Sequence, residues 1–290
     1  MQNDSMKDFQ GKVAVITGGA SGIGRALAEH AAGLGMKIVI ADIEKQAMAE
    51  TRQALGDAEV CTLSCDVTQP EQWEQLAEET WQRFGGAHLL CNNAGVSGGG
   101  LVEETSLEDW EWVLGVNLWG VIHGIRAFLP KMLAQGEGHI VNTASIAGVT
   151  SCPGIAPYNV SKHGVVTLSE TLYRELQAKD SPLGVSVLCP SYVQTRIHLS
   201  ERSRPRAHEK SEEERTLAMK GAEETFAAVF QDAQLPARTA QLVFEAVEKG
   251  RFYIFTHRGS QAKVEERMRA ILEDGHPPMK GPEEFPMDGL

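Results

Sequence analysis

Lys12-Val-Ala-Val-Ile-Thr17-Gly-Gly-Ala-Ser-Gly-Ile-Gly24 is the stretch whose reading decides how this chain folds. Its first six residues form a short apolar run with β-branched character, which predicts a strand over Lys12–Thr17. Glycines follow at 18, 22 and 24, and a helical pattern runs from about Gly22 to Leu34. Glycines placed where a strand turns into a helix let the backbone approach a bound group closely. The helix N-terminus adds free N–H donors and a partial positive charge, a combination suited to a pyrophosphate. The spacing is G-x-x-x-G-x-G rather than the commoner G-x-G-x-x-G, and taken alone such a loop serves equally well as a structural turn.

Outward from this loop the chain alternates. Strands are expected at Lys37–Ala41, Glu59–Ser64, His88–Cys91, His139–Thr143, Val185–Leu188 and Phe252–Phe255. Helices are expected at Glu44–Leu55 and Pro70–Phe84, with two long ones near Leu107–Gln135 and Tyr158–Ala178. Short β-rich runs alternating with helices imply parallel βαβ units, and right-handed crossovers restrict these to a doubly wound arrangement. The expected fold is therefore α/β: one Rossmann-type domain over residues 9–258, with a parallel sheet of about seven strands flanked by helices. Two regions break the pattern. A charged segment at about 196–232 is expected to hold helices over the C-terminal edge of the sheet. Residues 259–290 read as a C-terminal helix and a tail containing Pro277, Pro278, Pro282 and Pro286. No internal repeat or low-complexity linker is visible.

The second strand leads into Asp42. A carboxylate there can accept hydrogen bonds from both hydroxyls of an adenosine ribose and would repel a 2′-phosphate. Ile43 follows it and Ser21 precedes Gly22, so neither place supplies a cation for that phosphate. NAD is expected in preference to NADP. Asp66-Val67 follows the third strand, where the carboxylate could face an adenine amino group or simply cap a turn before Pro70.

In Pro157-Tyr-Asn-Val-Ser-Lys162 a tyrosine and a lysine stand four residues apart, on one face of a helix. A nearby ammonium favours the phenolate. Lowering a tyrosine from pKa ~10 by about three units takes about 4 kcal/mol, much of which one partly shielded cation can supply. The product would be a general acid/base working on an alcohol oxygen. On its own the pair fits an exposed amphipathic face just as well.

Composition narrows the class. The chain has 290 residues, 42% of them hydrophobic, with 27 basic against 39 acidic side chains and a net charge of −12. That balance speaks against nucleic acid as a partner, which requires concentrated positive surface. The basic run Arg202-Ser-Arg204-Pro-Arg206, followed by Glu212-Glu-Glu-Arg215, reads as a solvated loop. The five cysteines (Cys61, Cys65, Cys91, Cys152, Cys189) are odd in number and lack zinc-site spacing, so no metal is expected and free thiols in a reducing cytoplasm are. No apolar run approaches 18 residues and no leader pattern opens the chain, so no membrane association is expected.

Together these residues resemble the short-chain dehydrogenase/reductase family. The ordered series comprises the glycine loop 17–24, Asp42, Asp66, Asn92-Asn-Ala-Gly95, Asn117, Ser145, Tyr158, Lys162 and Pro190 through Thr195, and the resemblance covers roughly residues 9–258. It implies an NAD-dependent oxidoreductase that interconverts a secondary alcohol and a ketone. Tyr158 resembles the catalytic acid/base, Lys162 the residue that lowers its pKa and binds the nicotinamide ribose, and Ser145 the serine that holds the substrate oxygen. Asn117 resembles the asparagine holding a water that links Lys162 to solvent. The cofactor set implied is Gly18, Ser21, Gly22, Ile23, Gly24, Asp42, Asp66, Val67, Asn93, Ala94, Gly95, Tyr158, Lys162, Pro190, Val193 and Thr195. Without the resemblance, Ser145 reads as a strand-end cap and Asn117 as a buried helix polar group. One departure is Pro190-Ser191 where relatives often have Pro-Gly, since serine is less free to take positive φ.

The start Met6-Lys-Asp-Phe-Gln10 and the late strand Arg251-Phe-Tyr-Ile-Phe-Thr256 look like those of members that oxidise bulky aryl alcohols. Apolar pocket candidates are Val96, Ile146, Ile155, Tyr192 and Leu199. Relatives are commonly dimers or tetramers, and Trp112, Trp119, Val165, Val166 and Leu172 could serve such an interface or the core. Two other readings are kept: an epimerase or dehydratase with tightly held NAD, and a nucleotide-sensing protein without catalysis.

Overall fold

The computed structural model describes residues 6–205, 210–217, 220 and 233–278. Seven parallel strands form one sheet in the order β3-β2-β1-β4-β5-β6-β7. They are β1 (Val13–Thr17), β2 (Lys37–Asp42), β3 (Val60–Ser64), β4 (Leu89–Asn92), β5 (His139–Thr143), β6 (Gly184–Cys189) and β7 (Tyr253–Phe255). Between them run α1 (Gly22–Gly33), α2 (Lys45–Ala54), α3 (Pro70–Phe84), α4 (Leu107–Leu114), α5 (Gly120–Gln135), α6 (Ala156–Ala178) and α7 (Pro236–Glu248), and α8 (Ser260–Leu272) follows β7. The strand order reverses between β1 and β4, and the crevice above that switch point is where open α/β sheets bind ligands.

Both faces of the sheet are covered, which explains why its strands read as continuous apolar runs rather than alternating ones. Alternate residues serve two cores. Val13, Val15, Val39 and Ala41 pack with Trp73, Phe128, Met132 and Leu172 from α3, α5 and α6. Ala14, Ile16, Ile38 and Ile40 pack with Leu27, Val243 and Phe244 from α1 and α7. The helical stretch Leu107–Gln135 is long and apolar enough to cross a membrane, but much of it is buried in the core, with Val113, Val121, Phe128 and Met132 among its buried residues.

Element ends shift by a residue or two from the sequence-based bounds. The larger difference lies in the first long helix. Gly115–Trp119 forms a π-helical turn between α4 and α5, and Asn117 sits in it, fully buried. Such bulges widen the hydrogen-bonding ring and re-aim side chains without ending the helix. Of the segment expected to be helical at 196–232, Ile197–Ser203 forms a short 3₁₀ stretch, while most of residues 206–232 and the tail from 279 lie outside the described residues. Ser191 is not among the described residues with positive φ, so the expected strain from its replacing glycine does not arise. Four of the five interface candidates, Trp112, Val165, Val166 and Leu172, are buried, whereas Trp119 is 54% exposed.

His139 opens β5 at the far edge of the sheet from the crevice. Its Nε2 lies 2.8 Å from Ser186 Oγ, whose own proton goes to the Arg251 carbonyl. Burial pulls its pKa down to about 4. A folded pKa below the unfolded value of about 6.5 means that its share of stability is complete above pH 6.5 and is lost as pH falls towards 4. That share amounts to about 3 kcal/mol. Urea unfolding at pH 7 and pH 4.5 should show the loss, and in His139→Gln the difference between the two pH values should shrink. An unchanged difference would rule this histidine out as an acid trigger.

Candidate active site

The strand ends around the switch point carry the polar residues. At the end of β1, Thr17 receives hydrogen bonds on its hydroxyl from the Asn93 and Ala94 amides (3.0 and 3.1 Å), and its carbonyl accepts from Asn93 Nδ2 at 3.0 Å. The segment after β4 is thereby pinned across the glycine loop. Gly18 has φ +62°, and a Cβ there would stand 2.9 Å from Ala94 Cα, so no other residue fits without moving the backbone. Gly22, at the start of α1, has φ +52°. The first turn of α1 holds no acidic residue and Ser21 makes no side-chain cap, which leaves the amides of that turn available to an anion.

Asp42 ends β2 at the rim. Its carboxylate accepts from the Ala20 and Glu44 amides, each at 3.0 Å, so it fixes the glycine loop while facing the crevice. Burial raises its pKa above the ordinary carboxylate value, and the two amides oppose that rise. Asp66 receives the amide and hydroxyl of Thr68 on one carboxylate oxygen, the turn-capping geometry considered from sequence, and it too lines the crevice.

At the other end, Tyr158 and Lys162 stand one turn apart near the start of α6, and Ser145 follows β5. Lys162 is buried, and its Nζ donates to the Thr143 carbonyl at 2.9 Å and lies 5.5 Å from the centre of the Tyr158 ring. Ser145 caps the short 3₁₀ turn Ile146–Gly148 by accepting from the Ala147 amide, and its hydroxyl also hydrogen-bonds Tyr158. Asn117 spends its side chain on the Val96 amide and carbonyl (2.8 and 2.9 Å) and on Ser161. A Cβ on Gly95 would meet Asn117 Oδ1 at 3.3 Å and Lys162 Nζ at 3.5 Å, so these three groups converge.

The expected low tyrosine pKa is corrected here. Burial raises Tyr158 above its ordinary value, and the Ser145 hydrogen bond only partly offsets this. Burial also pulls Lys162 down to about 8. The lysine keeps its charge at pH 7, but it points at a carbonyl rather than at the phenol oxygen. Tyr158 is therefore held protonated at neutral pH in the cofactor-free protein.

The glycine loop, Asp42, Asp66, Tyr158 and Lys162 border one cavity of about 190 Å³, whereas Ser145 and Asn117 are not part of its lining. Of the sequence candidates, Gly18, Ser21, Gly22, Ile23, Asp42, Asp66, Val67, Asn93, Ala94, Gly95, Val96, Tyr158, Lys162, Pro190 and Thr195 line it. Gly24 lies behind the loop, and Val193 is buried and bridged to Gln234. Ile146, Ile155, Tyr192 and Leu199 do not border the cavity; Trp112, Val116 and Ile197 take that place.

The first part of the basic run, Arg202 to Pro205, is not the solvated loop expected from the sequence. Residues 196–205 lie over the crevice as a strap. Arg204 is buried, pairs through Nη2 with Asp109 and Glu201, each at 2.6 Å, and stacks 4.2 Å above the Trp112 ring. Ser200 accepts from the Ser97 amide at 2.9 Å, and Arg202 binds Glu44 at 3.1 Å. Arg202 and Arg196 thus reach the Asp42 end of the crevice from far along the chain. In the sequence, Asp109 and Trp112 stand three apart on one helix face, but nothing marks their partner as residue 204.

Residues 12–206 match the family model described as short chain dehydrogenase. The chain belongs to the short-chain dehydrogenase/reductase family. Like other members of that family it is an oxidoreductase. It is 36% identical over 279 residues to a CLA biosynthesis dehydrogenase/reductase of Lactiplantibacillus plantarum, covering 94% of this chain and 97% of that one. It is 33% identical to a C alpha-dehydrogenase of Sphingobium sp., covering 96% and 91%. Among solved structures, a short-chain dehydrogenase/reductase from Burkholderia phymatum in complex with NAD superposes with a TM-score of 0.89 at 44% identity, covering 95% of this chain and 99% of that one.

Proposed function

We propose that this dehydrogenase/reductase uses NAD(H) to interconvert a secondary alcohol and a ketone. The observation that carries the reading is the joining of two half-sites by one cavity. At one end are an uncapped helix start, a backbone cradle at Gly18 and a rim carboxylate at Asp42. At the other, Tyr158 is hydrogen-bonded to Ser145 beside Lys162. The residues fit a dinucleotide. Gly18, Ser21, Gly22 and Ile23 would hold its diphosphate, with Gly24 backing the turn. Asp42 would take the adenosine ribose hydroxyls, and Asp66 and Val67 would take the adenine. Asn93 to Gly95 would flank the adenosine side, Lys162 would bind the nicotinamide ribose, and Pro190, Val193 and Thr195 would frame the carboxamide. NAD, when bound, supplies a hydride acceptor and a positively charged ring.

Tyr158 takes the proton from the substrate hydroxyl in oxidation and returns it in reduction. Its raised pKa keeps it protonated at neutral pH, so the proton needed for reduction is in place, and in oxidation the positive charge beside it must lower that pKa. Ser145 donates to the same substrate oxygen as its charge develops. Lys162 is the next group in the proton path. Because the Asn117 side chain is engaged by Val96 and Ser161, any water that Asn117 holds would rest on its backbone carbonyl in the π turn.

Trp112, Val116 and Val96 give the cavity an apolar substrate side, which supports a bulky hydrophobic or aryl alcohol. The catalytic unit spans 9–258. The buried cysteines Cys61, Cys65, Cys91 and Cys189 support a reducing cytoplasm, and exposed Trp119 on the α4–α5 side supports a homodimer or homotetramer. NAD reduction against a panel of secondary alcohols tests the reading. Turnover of aryl carbinols above small polyols is expected, and activity confined to small polyols would overturn the substrate class.

A further inference from the structure

We propose that Arg196 is a diphosphate-binding residue, moving from Glu44 to the dinucleotide's diphosphate when that group occupies the Gly22 loop. The inference rests on the NAD reading above.

Among the described residues, three cations line the cavity: Lys162, Arg196 and Arg202. Two of them are committed. Lys162 is buried against the Thr143 carbonyl. Arg202 binds Glu44 Oε1 through Nε at 3.1 Å, and its Nη1 donates to the Arg196 and Leu199 carbonyls at 2.9 and 2.8 Å. Arg196 is held only at 3.9 Å from Glu44 Oε2, with a side chain 57% exposed. A pair that long and that open to water contributes little. Glu44 keeps Arg202 when Arg196 leaves, so no carboxylate is stranded.

The place Arg196 occupies points the same way. Its neighbour Thr195 packs on the glycine loop: a Cβ on Gly22 would lie 3.0 Å from Thr195 Cγ2. The amides at the start of α1 have no internal cap, and the nearest cation on that helix, Arg25, is paired to Glu29 at 2.8 Å. A doubly anionic group at this loop would meet the positive helix end from one side and Arg196 from the other. A ribose 2′-phosphate would instead stand beside Asp42 and Glu44, both carboxylates. That makes the diphosphate the better partner.

Calorimetric titration of wild type, Arg196→Gln and Arg196→Lys with NAD, ADP and 2′-AMP tests the proposal. Arg196→Gln should weaken NAD and ADP by about 5- to 30-fold, flatten the salt dependence of both, and leave 2′-AMP unchanged. Arg196→Lys should recover part of the loss, because a lysine keeps the charge but not the two-pronged geometry. NAD and ADP affinities within twofold of wild type in Arg196→Gln would overturn the proposal while leaving the NAD reading intact. A loss confined to 2′-AMP would overturn it in favour of the ribose. Wild type that binds neither NAD nor ADP would overturn the NAD reading itself.

Discussion

Tyr158→Phe is expected to fold, to bind NAD with wild-type affinity, and to turn over about 10³-fold more slowly. The substitution removes one hydroxyl and keeps the ring, so the packing of α6 against Ser145 and Lys162 survives. What is lost is the phenol oxygen that Ser145 hydrogen-bonds and that borders the cavity. Positioned acid/base groups contribute 10² to 10⁴ in rate. The upper part of that range is appropriate because, among the described residues, the other titratable side chains lining the cavity are engaged elsewhere or stand towards its other end. Lys162 Nζ is tied to the Thr143 carbonyl, and Asp42 and Asp66 line the other end of the cavity. The loss should appear in kcat rather than in KM, since the hydroxyl acts on the moving proton. The pH profile provides a second readout. Lys162 has a depressed pKa of about 8, so the next group in the proton path loses its charge as pH rises through 8. Wild-type oxidation should rise with pH as Tyr158 ionises and flatten or fall above 8, a limb absent from the residual rate of the phenylalanine variant. Stopped-flow and steady-state rates across pH 6–10 would show this. A Tyr158→Phe rate within tenfold of wild type would remove the tyrosine from the mechanism.

Much of this arrangement was legible in the sequence, because it depends on local pattern. The glycine loop, the carboxylate at the end of β2 and the i,i+4 pair on α6 are each contained within a few residues, and the strand–helix alternation places them at one edge of a parallel sheet. What was not legible depends on tertiary approach. The tyrosine pKa was misjudged because helix spacing brings Lys162 near the ring without aiming its ammonium at the oxygen; a carbonyl on β5 takes that hydrogen bond. The π turn at Gly115–Trp119 leaves no periodic signal, since its residues fit an α-helical pattern equally well. The strap reads as solvated because its arginines look exposed in sequence. Arg204 pairs with Asp109, roughly a hundred positions earlier, as well as with nearby Glu201, and Arg202 pairs with Glu44, further back still. The same distance hid the apolar wall at Trp112 and Val116, which was assigned instead to residues adjacent to recognisable motifs.

Asp42→Ala combined with Ile43→Arg should reverse the cofactor preference, changing the ratio of kcat/KM for NAD to that for NADP by about 10³-fold. Two effects add. Removing the carboxylate deletes hydrogen bonds to a charged acceptor, each worth about 1.5–3 kcal/mol, and with them the repulsion that excludes a 2′-phosphate. The new arginine then supplies a planar, charged partner for that phosphate. Position 43 suits it, because Ile43 is 46% exposed and already lines the cavity. Asp42 also anchors the Ala20 and Glu44 amides, so part of the NAD loss will come from a loosened glycine loop. The single variant Asp42→Ala separates these effects: it should weaken NAD sharply while gaining little with NADP. Glu44 introduces a competing partner, since a free arginine at 43 can fold onto that carboxylate, which Arg202 only partly satisfies. Adding Glu44→Gln should therefore raise NADP efficiency further. If the double variant still favours NAD, the rim carboxylate is not what selects the cofactor, and discrimination must lie with the strap.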